Sequence, residues 1–198
     1  MTMIAVLGNG RVGGSLAQAL TRAGHEVTVA DRSPGSAADA ARTAQIVINA
    51  TPGAGSLERL IALREELQGK ILVDVSNATV DGPDGLPAEL LYPGSSLAEQ
   101  LQEALPDTRV VKTLNTMLYT VMTAPAALTQ PPTAFLSGKD PEAKQVVRVL
   151  LADLSWQQEW ITDLGGIETA QAAEAAILFV PHVIRASGFT PFAISITR

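Results

Sequence analysis

The stretch Val6–Gly14, V-L-G-N-G-R-V-G-G, constrains this chain more than any other. The apolar run Met3–Leu7 ahead of it suits a buried parallel strand, and Ser15–Ala23 behind it carries apolar residues at helical spacing. Gly8, Gly10 and Gly13 therefore fall in a strand–turn–helix context, the setting of a dinucleotide-binding fingerprint. Each glycine has its own task there. Gly8 permits the tight turn, Gly10 lets a pyrophosphate approach the backbone, and Gly13 lets the helix pack closely on the sheet. The free N–H groups of that helix would point at the phosphates, whose charge the helix dipole favours. A second strand, Glu26–Ala30, ends in Asp31-Arg32, where the reader of the ribose belongs.

Strand and helix patterns alternate through the rest of the first half. Ser36–Arg42 reads as a short Ala-rich helix, and Gln45–Ala50 as a third strand that Thr51-Pro52-Gly53 ends. That turn lies at the carboxyl end of a strand, where open α/β sheets bind ligands, so Thr51 and Pro52 are candidate cofactor contacts. Ser56–Leu67 is predicted to be one amphipathic helix with Ser56 as its N-cap. Lys70–Val75 is a fourth strand, closing at Asp74-Val75-Ser76-Asn77. Three such repeats predict an α/β fold with a doubly wound, mostly parallel sheet.

The second half is less regular. Val80–Pro93 reads as a long loop. Ser95 or Ser96 caps a helix over Leu97–Leu105, and Arg109–Lys112 is a fifth strand ending in Thr113–Met117. Tyr119–Leu128 is at best a short helix, and Thr133–Ser137 is a sixth strand. Asp140 caps a helix over Pro141–Leu154, and Trp156–Ile161 is one more strand. A long Ala-rich helix over Ile167–Ser187 should kink at Pro181. In the tail Gly188–Arg198, Phe192, Ile194 and Ile196 alternate, as in an extended packed segment or a contact with a second subunit. Residues 1–138 form the expected dinucleotide-binding domain, and 139–198 a small C-terminal α/β extension with helical content, the two making one compact unit.

Composition removes several function classes. There are no cysteines among the 198 residues, which excludes disulfides, thiol nucleophiles and thiolate metal sites. A formal net charge of -6 argues against a nucleic-acid backbone or an anionic membrane as partner. The N-terminus lacks the pattern of a signal peptide, and the apolar stretch Ala172–Ile184 is too short and too interrupted to span a bilayer. A cytoplasmic protein is the expectation. No His, Asp or Glu cluster has metal-ligand spacing, and no Ser–His–acid arrangement can be argued.

Longer blocks carry a resemblance. They are G-N-G-R-V-G followed by G-H-E-V, then D-R-S-P, I-V-I-N-A-T-P-G and G-K-I-L-V-D-V-S-N. S-L-A-E-Q-L, L-P-D-T-R-V-V-K-T-L-N-T, F-L-S-G-K-D-P-E-A-K and G-F-T-P-F-A-I-S-I follow in order. In these the chain resembles the NADPH-dependent reductases of coenzyme F420, the F420-dependent NADP oxidoreductases, whose fold also occurs in the cytoplasmic part of membrane ferric reductases. The resemblance implies a Rossmann domain with a small C-terminal part, a homodimer, and NADP lying over the glycine loop. The matching positions here are Gly8, Asn9, Gly10, Arg11, Val12, Gly13, Arg32, Ser33, Ala50, Thr51, Pro52 and Asn77. Asn115, Thr116 and Met117 match positions that line the nicotinamide side of the substrate cleft. Two features depart from the family: the region between the second and third strands is short, and Asp31 stands where a small neutral residue is usual.

Asp31 and Arg32 pull in opposite directions. A carboxylate at this strand end suits the ribose of NAD, whereas a guanidinium suits the 2′-phosphate of NADP. With Ser33 as a further donor, NADP is favoured and NAD is the alternative. Asn77 and Asn115 either orient the carboxamide or a ribose, or are ordinary turn residues. Lys112 reads as a surface or ion-paired lysine, His25 as exposed, His182 as packed or at an interface, and Glu168 and Glu174 as solvated. Met117, Met122 and Tyr119 read first as core. The expected function is hydride transfer between NADP(H) and a small planar redox co-substrate such as F420 or a flavin, with no strictly catalytic side chain. The alternatives are a reductase of small carbonyls or imines and a non-catalytic NADP-binding sensor. The first of these wants a lysine, aspartate or tyrosine acid on the C-terminal helix, which offers only Glu168, Glu174, His182 and Arg185.

Overall fold

Short apolar runs such as Ile46–Asn49 and Ile71–Asp74 are buried along their whole length, because helices cover the sheet on both faces. The computed structural model describes residues 1–196; residues 197–198 of the tail lie outside the described part. The first half runs β1 (Met3–Leu7), α1 (Arg11–Arg22), β2 (Glu26–Ala30), α2 (Ser36–Thr43), β3 (Ile46–Asn49), α3 (Ser56–Ile61), α4 (Arg64–Leu67) and β4 (Ile71–Asp74). A hairpin of β5 (Thr79–Asp81) and β6 (Pro87–Leu90) follows, then α5 (Leu97–Ala104), β7 (Arg109–Lys112) and α6 (Tyr119–Met122). The chain continues through β8 (Ala134–Gly138), α7 (Pro141–Asp153), β9 (Ile161–Gly165), α8 (Ala170–Ala175) and α9 (Val180–Ser187).

The main sheet has the order β2-β1-β3-β4-β7-β8-β9. All its pairings are parallel except β7 with β8. Because β9 pairs with β8, the segment after residue 138 extends the same sheet. Alternate residues of each strand feed opposite cores. Ile4, Val6, Ile48 and Val73 pack with α1, α6 and α7, while Ala5, Leu7, Val47 and Leu72 pack with α2, α3, α4 and α5. The chain reverses its progress across the sheet between β1 and β3, so the ligand crevice of an open α/β sheet falls at their carboxyl ends.

Several elements differ from expectation. The predicted loop 80–93 contains the β5–β6 hairpin, whose strands are short and lie apart from the main sheet. The predicted helix 56–67 is two helices, and Gly55, not Ser56, occupies the N-cap. Ser56 is the first residue inside the helix, and its buried hydroxyl donates to the carbonyl of Pro52 at 3.0 Å. The last strand begins at Ile161, whereas Trp156 is buried with its indole N–H on the carbonyl of Met122. The predicted helix 167–187 is α8 and α9 joined by 3-10 turns, and Pro181 opens α9 instead of kinking a longer helix. Of the two serines expected at the start of α5, Ser96 is the cap, and Asp140 caps α7 as expected. The tail packs as an extended segment of its own chain: Ile194 donates to the carbonyl of Thr116, and Leu118 to that of Phe192. Among the described residues no helix is long and apolar enough to cross a membrane.

Candidate functional site

The glycine turn sits on the switch point between β1 and β3. A Cβ at Gly8 would come within 2.6 Å of the carbonyl oxygen of Ala50, and one at Gly13 would collide with the carbonyl of Gly8. Gly8 also has φ 110, open to glycine alone among ordinary residues. Gly10 differs: among the described residues nothing lies within 4 Å of the place its Cβ would take. Two glycines thus close the turn on the protein, and the third leaves it open. Gly10 is also the N-cap of α1 and carries no side chain to satisfy the first N–H groups of the helix. Asn9 and Arg11 are exposed beside it, with the Arg11 guanidinium 5.7 Å from the centre of the Tyr119 ring, while Val12 packs on the core.

At the end of β2 a cleft of about 490 Å³ is lined by Asp31, Ser33, Ser36 and Asp39 among others. The Ser33 N–H donates to Asp31 at 2.8 Å, and this bond, with the hydroxyls of Ser33 and Ser36, holds the Asp31 carboxyl below the usual range. Arg32 is exposed and makes no ion pair among the described residues.

The turn after β3 is held from below. Asn49 is fully buried, donates to Asp74 at 2.8 Å, and accepts the Thr51 hydroxyl at 2.7 Å. Arg59 clamps the same turn by donating to the carbonyls of Pro52 and Ala54. Gly53 lies against the backbone of Asn77, which leaves no room for a side chain and brings the turns after β3 and β4 into contact. Ala50 packs on the core, and Pro52 is exposed.

The turns after β4 and β7 are tied by reciprocal bonds. Asn77 Nδ2 donates to the carbonyl of Asn115, and Asn115 Nδ2 donates to Asn77 Oδ1, each at 2.9 Å. Asn115, Thr116 and Met117 are all buried, and Leu114 just before them has φ 60. Asn115 Oδ1 and the hydroxyls of Thr113 and Thr116 are buried with no hydrogen-bond partner among the described residues.

Beneath these turns lies a charged cluster that local sequence pattern missed. Lys112 is fully buried, 2.7 Å from Asp74 and 2.9 Å from Glu174, and also donates to the carbonyl of Ser76. Glu174, expected to be solvated, is 2% exposed. Burial alone would lower the Lys112 pKa; the charges and hydrogen bonds of Asp74 and Glu174 outweigh it and raise it. The one available signal was the polar ends of otherwise apolar strands, Asn49, Asp74 and Lys112. The expectation for His25 is corrected, and the packed reading of His182 is not met. His25 is largely covered and paired with Asp153 at 3.1 Å, while His182 is exposed beside the β5–β6 hairpin.

A parallel sheet with a glycine turn and a helix mouth at its switch point defines a dinucleotide-binding α/β protein of the Rossmann type. The chain belongs to the family of coenzyme F420-dependent NADP oxidoreductases, whose model matches residues 3–78. The F420-dependent NADP reductase of Methanocaldococcus jannaschii is 31% identical over 142 residues, covering 69% of this chain and 60% of that protein. The chain thus matches less than two thirds of that relative. A crystal structure of a proposed F420-dependent NADP reductase from Arthrobacter sp. FB24 superposes with a TM-score of 0.91, at 37% identity and over 100% of both chains. A hypothetical protein from Sinorhizobium meliloti superposes with a TM-score of 0.67, at 29% identity, over 85% of this chain and 88% of that one.

Proposed function

We propose that this protein transfers hydride between NADP(H) and a planar redox carrier, a deazaflavin of the F420 type or a flavin. The observation that carries this reading is the glycine turn, packed shut at Gly8 and Gly13 and open at Gly10, on the switch point of the sheet. The dinucleotide supplies the hydride chemistry when bound. The residues present suit it. The uncapped N–H groups of α1 face the open side of the turn and would receive the diphosphate. Arg32 is free to take a 2′-phosphate, and Asp31 already spends a carboxylate oxygen on the Ser33 N–H, which supports NADP over NAD.

On the acceptor side, three polar atoms without partners lie within the turn Thr113–Thr116. A buried unpaired polar atom costs about 1–3 kcal/mol, which a ligand's donors would offset. Lys112 is committed to two carboxylates and a carbonyl, and Glu174 to Lys112 and backbone N–H groups. Neither is free to protonate a carbonyl or imine. The site therefore supports alignment of two rings more than acid catalysis.

Stopped-flow mixing of the protein and NADPH with F420, FMN and ferric complexes tests this. Rapid NADPH oxidation with F420 or FMN is expected. Tight NADPH binding with no turnover on any acceptor would make the protein a nucleotide sensor instead.

A further inference from the structure

Lys112, Asp74 and Glu174 form a buried group with two carboxylates and one ammonium. Burying such charges costs more than their attraction returns unless geometry and hydrogen bonds are good, and an apolar set of similar volume often holds a fold as well. Stability alone is therefore a weak reason for Glu174. Its contacts suggest another. One carboxylate oxygen accepts the Leu97 N–H at 3.0 Å and the other the Ala98 N–H at 3.3 Å, at the start of α5. Through Lys112 the same side chain is fastened to β7. It is thus the bolt that fixes α8 to two other elements.

Helix α8 needs one. It has six residues and no side-chain cap. Helices so short do not hold themselves in water. The neighbouring residue, Ala173, presents the carbonyl that accepts from Asn115 Nδ2 at 2.9 Å. The same nitrogen donates to Asn77, so both its hydrogens are used and the plane of the amide is set. Leu114, one residue earlier, holds a left-handed backbone that a leucine adopts only when its surroundings enforce it.

We propose that Glu174 is a positioning residue for hydride transfer: anchored on Lys112 and on the N-terminus of α5, it places the Ala173 carbonyl that orients the Asn115 amide. The inference rests on the function proposed above and deepens it. Glu174 acts through Ala173 and Asn115, not by contact with the reacting rings. A misplacement of about 1 Å at a reacting centre can cost about 100-fold in rate, so a loosened turn is expected to be felt in the chemical step.

Glu174→Gln tests the proposal, because it leaves Lys112 and Asp74 as a balanced pair. Glu174→Met, which also keeps that balance, replaces it if the first variant does not fold. With F420 as acceptor and NADPH deuterated at the transferred hydrogen, kcat should fall about 10- to 100-fold. The NADPH Kd should stay within about twofold, and the isotope effect on kcat should rise, because the hydride step itself is slowed. Asn115→Ala should behave alike, and the double variant should lose little more than either single one. An unchanged kcat and isotope effect in Glu174→Gln, with Asn115→Ala impaired, would overturn the proposal and leave the proposed function standing. A fall in kcat matched by an equal loss of NADPH-binding protein would also overturn it, as a folding defect. Failure of the unaltered protein to oxidise NADPH with any acceptor would instead remove the function beneath it.

Discussion

The Cα of Gly13 faces the carbonyl of Gly8 so closely that no methyl group fits between them, whereas Gly10 faces open space. The two glycines should therefore fail in different ways. Gly13→Ala pushes on backbone, which cannot swing aside, and should cost about 3 kcal/mol of stability. Gly10→Ala should leave stability within about 1 kcal/mol, since its backbone is extended and alanine suits it. Its NADPH affinity should nevertheless fall at least about tenfold, because the methyl occupies the phosphate's approach. Urea unfolding and calorimetric titration of both variants check the contrast; unfolding of Gly10→Ala would contradict it.

On the function proposed above, cofactor choice turns on Arg32. Arg32→Ala should weaken NADP binding about tenfold through loss of charge-assisted bonds to the 2′-phosphate, and should leave NAD binding within about twofold. Equal losses for both nucleotides would assign Arg32 to the adenine, and no loss for either would assign it to solvent.

Lys112 makes an alkaline prediction. Burial opposes its charge, and Asp74 and Glu174 more than restore it, so its folded pKa lies above the ordinary lysine value. A raised folded pKa gives stability that is complete below the unfolded value of about 10.4 and is lost as pH climbs through the folded one. The Lys112 contribution should thus be constant across neutral pH and vanish only in strong alkali. Lys112→Met should cost about 3–5 kcal/mol already at neutral pH, since it strands two buried carboxylates. Denaturant midpoints measured at neutral and alkaline pH check both statements.

Asp163 works in the other direction. Burial raises its carboxyl, but Lys144 at 2.8 Å and the Gly165 N–H at 2.9 Å prevail and lower it. Its stabilisation is present above the unfolded pKa of about 3.9 and is lost as pH falls through the folded value. Asp163→Asn should therefore be less stable than the unaltered protein at neutral pH, with the gap closing in acid. A gap that persists at low pH would show that the carboxylate charge is not what matters.

What was legible in the sequence follows from where each interaction partner lies. The central strands are apolar on both sides, so Ile46–Asn49 and Ile71–Asp74 stand out without any tertiary knowledge. The caps Ser96 and Asp140 are equally local. The glycine turn was legible because part of its demand is local: Gly8 has φ 110 and Gly13 packs on the carbonyl of Gly8, whereas the contact of Gly8 with Ala50 needed the fold. Glu174 was not: in an Ala-rich stretch it looks solvated, and only the fold brings Lys112 and the start of α5 to it. The β5–β6 hairpin was hidden for a different reason. Its proline- and glycine-rich sequence favours turns, and its strands are too short to show alternation.

The tail meets the turn after β7 through peptide groups: Leu118 donates to Phe192, Ile194 donates to Thr116, and Met117 bridges Ala193. Main-chain pairing is indifferent to the letters that carry it. Proline at 194 should break this pairing because it has no hydrogen to give, and a larger side chain at Ala193 should be felt because that residue packs on the core. Adding or deleting a single residue there would slide the whole ladder by one step. The register of this seam is thus set by the number of residues that reach it.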